Sequence, residues 1–163
     1  MKTILSDYTK YNYWANKKIC DLLLILDDSI LEKDIDSSFR TIKETVYHMW
    51  GAEWIWYLRV YDSSKIESPI KNFNGTFKEA VVSFHKASLD MIKLVQEKNE
   101  EDFEKDILYH NLAGQGFTNK LYEIIMHCMN HSTFHRGQIV TMLRIAGVTN
   151  LFSTDLITYY RER

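Results

Sequence analysis

Helix-breaking residues are scarce in this sequence, and that scarcity limits what the chain can fold into more than any other feature. Its 163 residues include one proline, Pro69, and six glycines. Because proline and glycine disfavour helices most strongly, long stretches remain in which apolar residues recur at helical spacing. The pattern predicts an all-α protein in which four long helices pack as a bundle.

Start and stop signals set the bounds of the first three helices. An apolar stripe predicts the first helix over residues 4–26. Thr41 and Glu44 fit a capping box, in which each side chain accepts the backbone N–H of the other, so the second helix should follow and end near residue 61. The same spacing recurs at Thr76 and Glu79 and predicts a third helix from there to about residue 98.

A long connection separates the third helix from the fourth. Residues 99–118 alternate between polar and apolar side chains around a turn at 111–114, which favours a loose, extended, hairpin-like segment. The fourth helix is predicted over residues 119–146, with Thr118 as its N-cap and Gly147 in the left-handed conformation after its end. A short C-terminal helical turn should follow.

Composition and charge exclude several classes of protein. The chain has 45% hydrophobic and 26% charged residues, which is typical of a single folded domain over residues 1–163. Its net charge is -2, and no basic cluster is available to bind nucleic acid. No apolar run is long enough to span a membrane, and Asp7 and Lys10 interrupt any secretory segment, so a cytoplasmic protein without membrane contact is expected.

Histidines are concentrated on the predicted fourth helix. His127, His131 and His135 follow one another at four-residue steps, about 40° around the helix axis and about 6 Å along it. Neighbouring members can therefore chelate one ion, whereas the outer two lie about 12 Å apart and cannot. Either His127 with His131 or His131 with His135 forms the pair, and another helix must complete the site. Cys128 is a conceivable thiolate ligand but ranks below the histidines.

Candidates for the third ligand lie elsewhere in the chain. His48 shares an apolar helix face with Gly51 and Ala52, two small residues that leave room beside its imidazole. His85 on the third helix is a weaker competitor, and His110 lies in the long connection. Three imidazoles with an open coordination position suit Zn, Ni, Cu or Fe and would form a Lewis-acid site. The alternative is that these histidines are core residues without a metal.

Several segments carry a resemblance to a known family. Residues 131–135 have serine where the HExxH motif of zinc proteases has its glutamate base, which disfavours peptide hydrolysis. The longer segment 127–139 is instead similar to the HxxNHxxxHRGQ signature of the DinB/YfiT-like family, which is regarded as a family of metal-dependent enzymes. Residues 48–56 resemble that family's helix-two motif, and residues 143–147 and 154–157 resemble its helix-four exit and C-terminal tail.

This resemblance implies an up-down-down-up four-helix bundle, frequently homodimeric, in which His48, His131 and His135 hold a divalent metal ion. Zn or Ni is then the expected metal, and His127 lies beside the site. Phe134 departs from the family pattern, because many members have a second adjacent histidine there. That position points about 100° away from the neighbouring ligand, so the site should survive the change.

The resemblance is compatible with more than one activity, and it assigns no catalytic residue. The site suits a metal-dependent hydrolase or a low-molecular-weight thiol S-transferase with a small-molecule substrate. The alternative is a non-catalytic metal-binding or metal-sensing protein, built as a dimeric bundle.

Residues next to the candidate ligands have two interpretations each. Glu53 is the nearest carboxylate for proton transfer, but a dimer interface or a salt bridge fits its helical position better. Asn130 and Gln138 could orient imidazole N–H groups or could pack between helices. Arg136 could bind a carboxylate or phosphate, although pairing with an acidic residue is favoured.

The second helix also carries an aromatic cluster, which is expected in the core or at a dimer contact. It consists of Trp50, Trp54, Trp56 and Tyr57.

Overall fold

The computed structural model describes residues 1–62, 67–111 and 113–163. Within these ranges the chain forms six α-helices, a 3-10 turn and two β-strands, and none of these helices is long and apolar enough to cross a membrane. In chain order the elements are α1 (Lys2–Leu23), α2 (Asp28–Leu31), α3 (Ile42–Tyr61), α4 (Phe77–Glu97), the 3-10 turn (Glu100–Glu104), β1 (Asp106–His110), β2 (Gly116–Lys120), α5 (Leu121–Ile145) and α6 (Leu156–Glu162). The four long helices are α1, α3, α4 and α5.

The helix caps predicted from the sequence are present at α3 and α4. The Thr41 hydroxyl accepts the backbone N–H of Glu44 at 3.0 Å, and the Glu44 carboxylate accepts that of Thr41 at 3.1 Å. Thr76 and Glu79 make the same reciprocal pair at 3.3 and 2.7 Å. Gly147 follows α5 with a φ of 95°, the left-handed conformation expected after a helix end. The second and third predicted helices therefore begin where the capping boxes place them.

The first helix ends earlier than its apolar stripe predicts. α1 ends at Leu23, and the short helix α2 begins at Asp28, where no helix was predicted. Between them, the backbone N–H groups of Ile25 and Leu26 donate to the carbonyl groups of Leu22 and Leu23. These hydrogen bonds join residues three apart and have the tighter 3-10 geometry, so the α-helix ends before its apolar stripe does.

The start of α5 also differs from the prediction, because the segment before it is paired in a sheet. β1 and β2 form an antiparallel ribbon in which Thr118 lies opposite Leu108. Thr118 is therefore extended within a strand, and Lys120 occupies the N-cap position of α5. The prediction of Thr118 as N-cap is wrong, whereas the hairpin-like connection is confirmed and adds a small ribbon to the helical fold. Leu112, at the predicted turn, lies outside the described residues.

The four long helices pack around two apolar clusters. α1 and α3 each pack against both α4 and α5, so α1 lies diagonally opposite α3. One cluster joins the C-terminal halves of α1 and α5 to the N-terminal halves of α3 and α4, and includes Ile19, Leu23, Ile42, Val46, Val81, Phe84, Ile139 and Leu143. The other joins the opposite ends and includes Leu5, Tyr57, Met91, Leu94, Leu121 and Ile125. α1 and α5 therefore run one way and α3 and α4 the other, which confirms the up-down-down-up bundle.

A buried set of polar side chains lies between the two apolar clusters. Each of its members is at most 1% exposed. We call this set the polar layer, and it consists of Asn12 and Asn16 of α1, Glu53 of α3, Ser88 of α4 and Arg136 of α5. Because all four long helices contribute to it, the polar layer constrains how the helices align with one another.

Candidate metal centre

Three imidazole rings meet between α3 and α5. His48 projects from α3, and His131 and His135 project from adjacent turns of α5. The Nε2 atom of His131 lies 3.0 Å from Nε2 of His48 and 3.1 Å from Nε2 of His135. Two imidazoles bound to one tetrahedral zinc ion have nitrogen atoms about 3.3 Å apart, so this spacing fits a shared ion. In the described part of the chain, this is the one group of three metal-ligating side chains close enough to hold an ion.

A hydrogen bond that His135 donates to Gln138 determines which nitrogen of His135 faces the other two histidines. The Nδ1 atom of His135 lies 2.7 Å from Oε1 of Gln138, whose Nε2 atom donates to the Ser38 hydroxyl at 2.7 Å. Since a carbonyl oxygen only accepts, Nδ1 of His135 carries the proton and Nε2 keeps a free lone pair. This is the arrangement that orients metal-binding histidines in proteins. Of the two interpretations of Gln138, this bond favours the one in which it orients an imidazole, whereas Asn130 is exposed.

Burial keeps the three histidines neutral. Burial, together with the repulsion that the neighbouring imidazoles would exert if charged, lowers the pKa of both His48 and His131 to about 4. Burial also lowers the pKa of His135, while the bond to Gln138 opposes that shift. Neutral imidazole is the form that binds metal ions, so protons compete weakly for the site near neutral pH.

Phe39 forms a wall of the site that the sequence did not reveal. Its ring stacks on the His48 ring with centroids 4.3 Å apart and lies 5.8 Å from the His135 ring. Phe39 precedes α3 in a segment without helical or strand periodicity, so no pattern in the sequence pointed to it. Phe39 also lines the cavity onto which His48 and His131 open.

The remaining histidines and Cys128 lie outside this group. His127 is beside it, with its ring 6.0 Å from that of His131 and 4.9 Å from that of Trp56. His85 is half-buried on α4 and His110 is exposed on β1. Cys128 is buried in an apolar cluster, where burial raises the pKa of its thiol well above the ordinary value.

A cavity of about 720 Å³ opens directly onto the histidines. His48 and His131 line it, together with Gly51 and Ala52, which confirms that the two small residues leave room beside the His48 imidazole. Cavities of this volume accommodate ordinary small-molecule ligands. Other side chains around the cavity include Tyr47, Ile55, Trp56, Arg59, Ile70 and His127.

Glu53 and Arg136 belong to the polar layer and not to this cavity. Glu53 is 1% exposed within a single chain, so its interpretation as a dimer-interface residue is wrong. The Nδ2 atoms of Asn12 and Asn16 donate to its carboxylate at 3.2 and 3.3 Å. Nη1 of Arg136 donates to Oδ1 of the same two asparagines at 2.7 and 2.8 Å. The favoured interpretation of Arg136 as a structural residue is therefore correct. Asn12 and Asn16 bridge its guanidinium to the Glu53 carboxylate by hydrogen bonds.

Comparison with known proteins gives a family match along almost the whole chain. The model of the DinB family matches residues 1–161. Protein DinB of Bacillus subtilis (strain 168) is 29% identical over 147 residues, which cover 85% of this chain and 83% of that protein.

Solved structures with the same fold extend this comparison. YfiT from Bacillus subtilis, described as a probable metal-dependent hydrolase with an unusual four-helix bundle topology, superposes with a TM-score of 0.72 at 14% identity and covers 91% of both chains. A DinB-like protein from Bacillus cereus gives a TM-score of 0.61 at 20% identity, covering 85% of this chain and 90% of that one. At these identities the likeness establishes the fold of the bundle and no more.

Proposed function

This chain belongs to the DinB family, and from that premise we propose that it is a metal-dependent enzyme acting on a small molecule, with His48, His131 and His135 as the metal ligands. The observation that carries the proposal is the convergence of three neutral imidazoles, two of which, those of His48 and His131, line a cavity. A site that only stabilised the bundle would have no use for a cavity of about 720 Å³ beside it.

The donor set supports a divalent ion, with Zn or Ni as the expected metal. Three imidazole nitrogens suit both ions, and three protein ligands leave a coordination position open. The ion would supply a Lewis acid that lowers the pKa of a water or thiol at that position. Phe39 stacks on the His48 ring, and Gln138 holds His135 in the tautomer that presents Nε2.

Two reaction classes fit this site. Hydrolysis is supported by the description of YfiT, which shares the fold. Transfer of a small thiol is supported by the scarcity of general bases in the cavity lining. Among the described residues, Glu44 is the one carboxylate that lines the cavity, and it already accepts the backbone N–H of Thr41. A thiol needs less help from a general base than water does, since its pKa is much lower.

Metal analysis of histidine variants tests the ligand assignment. We expect wild-type protein loaded with Zn or Ni to retain the ion after gel filtration, and His48→Ala, His131→Ala and His135→Ala to lose most of it. His127→Ala and His85→Ala are matched controls and should retain the wild-type content, because their rings lie outside the group. Unchanged metal content in the three ligand variants would overturn the assignment.

Activity measurements then test whether the metal serves catalysis. The metal-loaded protein should hydrolyse a simple ester such as p-nitrophenyl acetate, or transfer a small thiol to 1-chloro-2,4-dinitrobenzene with release of chloride. Removal of the ion by chelation should abolish the turnover while the bundle stays folded. Strong loss of thermal stability on chelation, with no turnover by the loaded protein, would favour a structural or sensing role instead.

Assembly and location belong to the same proposal. We expect a homodimer in solution, which analytical ultracentrifugation would measure, and a cytoplasmic protein that does not bind nucleic acid.

A further inference from the structure

Arg59 lines the same cavity as His48 and His131 and has no acidic partner among the described residues. It lies near the C-terminal end of α3, whereas His48 lies near the beginning. No carboxylate of the described residues lies within ion-pair distance of its guanidinium, in contrast to Arg40 at the cavity rim, which pairs with Asp34. Half-buried arginines normally pair with an anion, since an unpaired charge is costly to remove from water.

Two aromatic rings hold the Arg59 guanidinium in place. Its central carbon lies 4.1 Å from the centre of the Trp56 ring and 5.0 Å from that of Tyr109. Nη2 donates to the carbonyl oxygen of His110 at 3.3 Å, while Nε is buried and finds no acceptor in the described part of the chain. Burial lowers the pKa of Arg59, and Tyr109 opposes that shift. The side chain is therefore fixed from β1 and α3, and its other N–H groups make no hydrogen bond to a described residue.

From this arrangement we propose that Arg59 binds an anionic group, a carboxylate or a phosphate, at the end of the substrate remote from the histidines. The inference rests on the proposed function, because it assigns the substrate class of the same cavity. A planar guanidinium with free N–H donors matches the paired oxygens of these groups. Trp56 also lines the cavity and orients this arginine towards its ligand.

The positions of His48 and Arg59 also determine the shape of the substrate. Their Cα atoms lie about 16 Å apart along the α3 axis. Tyr47, Ile55 and Ile70 line the cavity and are largely apolar. The substrate is accordingly an elongated small molecule, with an apolar middle, a reactive group at the histidines and an anion at Arg59.

Matched charged and neutral probes test this inference. We would measure by calorimetry the affinities of 4-phenylbutanoate, 4-phenylbutyl phosphate and the neutral 4-phenylbutanamide for wild-type protein. At least one anion should bind about tenfold more tightly than the amide, and the better of the two identifies the group as a carboxylate or a phosphate. Equal affinity for all three probes would overturn the inference.

Substitutions of Arg59 and Arg40 test whether Arg59 produces the preference for an anion over the amide. Arg59→Gln should bind the amide as wild type does and lose the preference for the anion, whereas Arg40→Gln, whose arginine is already paired, should keep it. If Arg59→Gln does not fold, Arg59→Lys serves instead, and the loss of the planar guanidinium should reduce the preference about threefold. A full preference in either Arg59 variant would show that the residue only anchors β1 to α3, and would contradict the proposal.

Removal of the metal separates this inference from the metal assignment. In chelated wild-type protein the anion preference should persist, because Arg59 and not the ion produces it. If chelation abolishes the preference while Arg59→Gln retains it, the anion binds the metal, which would overturn the inference and support the metal site. A preference that depends on Arg59 in a protein that binds no metal would support the inference and contradict the proposed ligands.

Discussion

His135 and Arg136 are adjacent on α5, yet their side chains serve two different parts of the bundle. His135 directs Nε2 towards His131 at 3.1 Å, whereas Arg136 directs Nη1 towards Asn12 of α1 at 2.7 Å. Successive helical residues differ in direction by about 100°, so one turn of α5 contributes to the candidate metal centre on one side and to the polar layer on the other.

Arg136→Met should destabilise the fold by about 3 kcal/mol, because it leaves the Oδ1 atoms of Asn12 and Asn16 without their donor and Glu53 without a nearby positive charge. Urea denaturation would measure the change. Arg144→Gln, at an exposed arginine of the same helix, is the control and should stay within about 0.5 kcal/mol of wild type. The folded Arg136 variant should still bind metal, and a loss of stability below about 1 kcal/mol would contradict the role of the polar layer.

Glu53 should make the fold less stable as pH rises. Burial raises the pKa of its carboxyl from 4.5 to about 7, against the opposing effects of Ser88, Asn12 and Arg136. Because the folded-state pKa lies above the unfolded-state value, the folded protein keeps a proton that the unfolded chain has lost. The free energy of unfolding therefore falls by about 3 kcal/mol between pH 4.5 and pH 7 on account of this one group.

Denaturation of Glu53→Gln at pH 5 and pH 8 measures that contribution as a difference from wild type. The two cysteines that face Glu53 do not interfere, since burial raises the pKa of the Cys20 thiol to about 12 and raises that of Cys128 as well. Glu97→Gln, an exposed carboxyl on α4, should keep the pH dependence of wild type. An identical pH dependence in Glu53→Gln and wild type would show that Glu53 is already ionised in the folded protein.

Gln138→Ala should weaken metal binding about tenfold without abolishing it, because His135 loses the acceptor that fixes its tautomer and ring orientation. Competition with a chromophoric chelator would measure the affinity. Ser38→Ala removes the other hydrogen bond of Gln138 and serves as the control, with an expected effect of less than threefold. If both variants bind metal as tightly as wild type, the bond between Gln138 and His135 has no part in the site.

Thr76→Ala should lower the free energy of unfolding by about 1 kcal/mol, because α4 loses the side chain that caps its backbone N–H groups. Thermal or urea denaturation would detect the change. Thr76→Ser keeps the hydroxyl and should recover most of the loss. Equal destabilisation by alanine and serine would assign the effect to the methyl group instead of the cap.

Helix boundaries could be predicted where local chemistry determines them. The capping boxes at Thr41 and Thr76 each use side chains three residues apart, so the sequence contained all of the required information. Thr118 looked equally suitable as a cap, but its backbone is paired with Leu108 of β1. A propensity at one residue could not reveal that competing contact.

The sequence by itself determined the spacing of the histidines on α5, since the rise and rotation of a helix bring His131 within reach of both His127 and His135. Family resemblance, and not spacing, nominated His48 and the pair with His135. Tertiary structure decided which rings converge, because Nε2 of His48 reaches His131 only through the packing of α3 against α5. It also decided that Glu53 and Arg136 are buried and that Phe39 and Arg59 border the site. The physical reason is that helix geometry is set by neighbouring residues, whereas the alignment of one helix with another depends on the combined packing of many distant side chains.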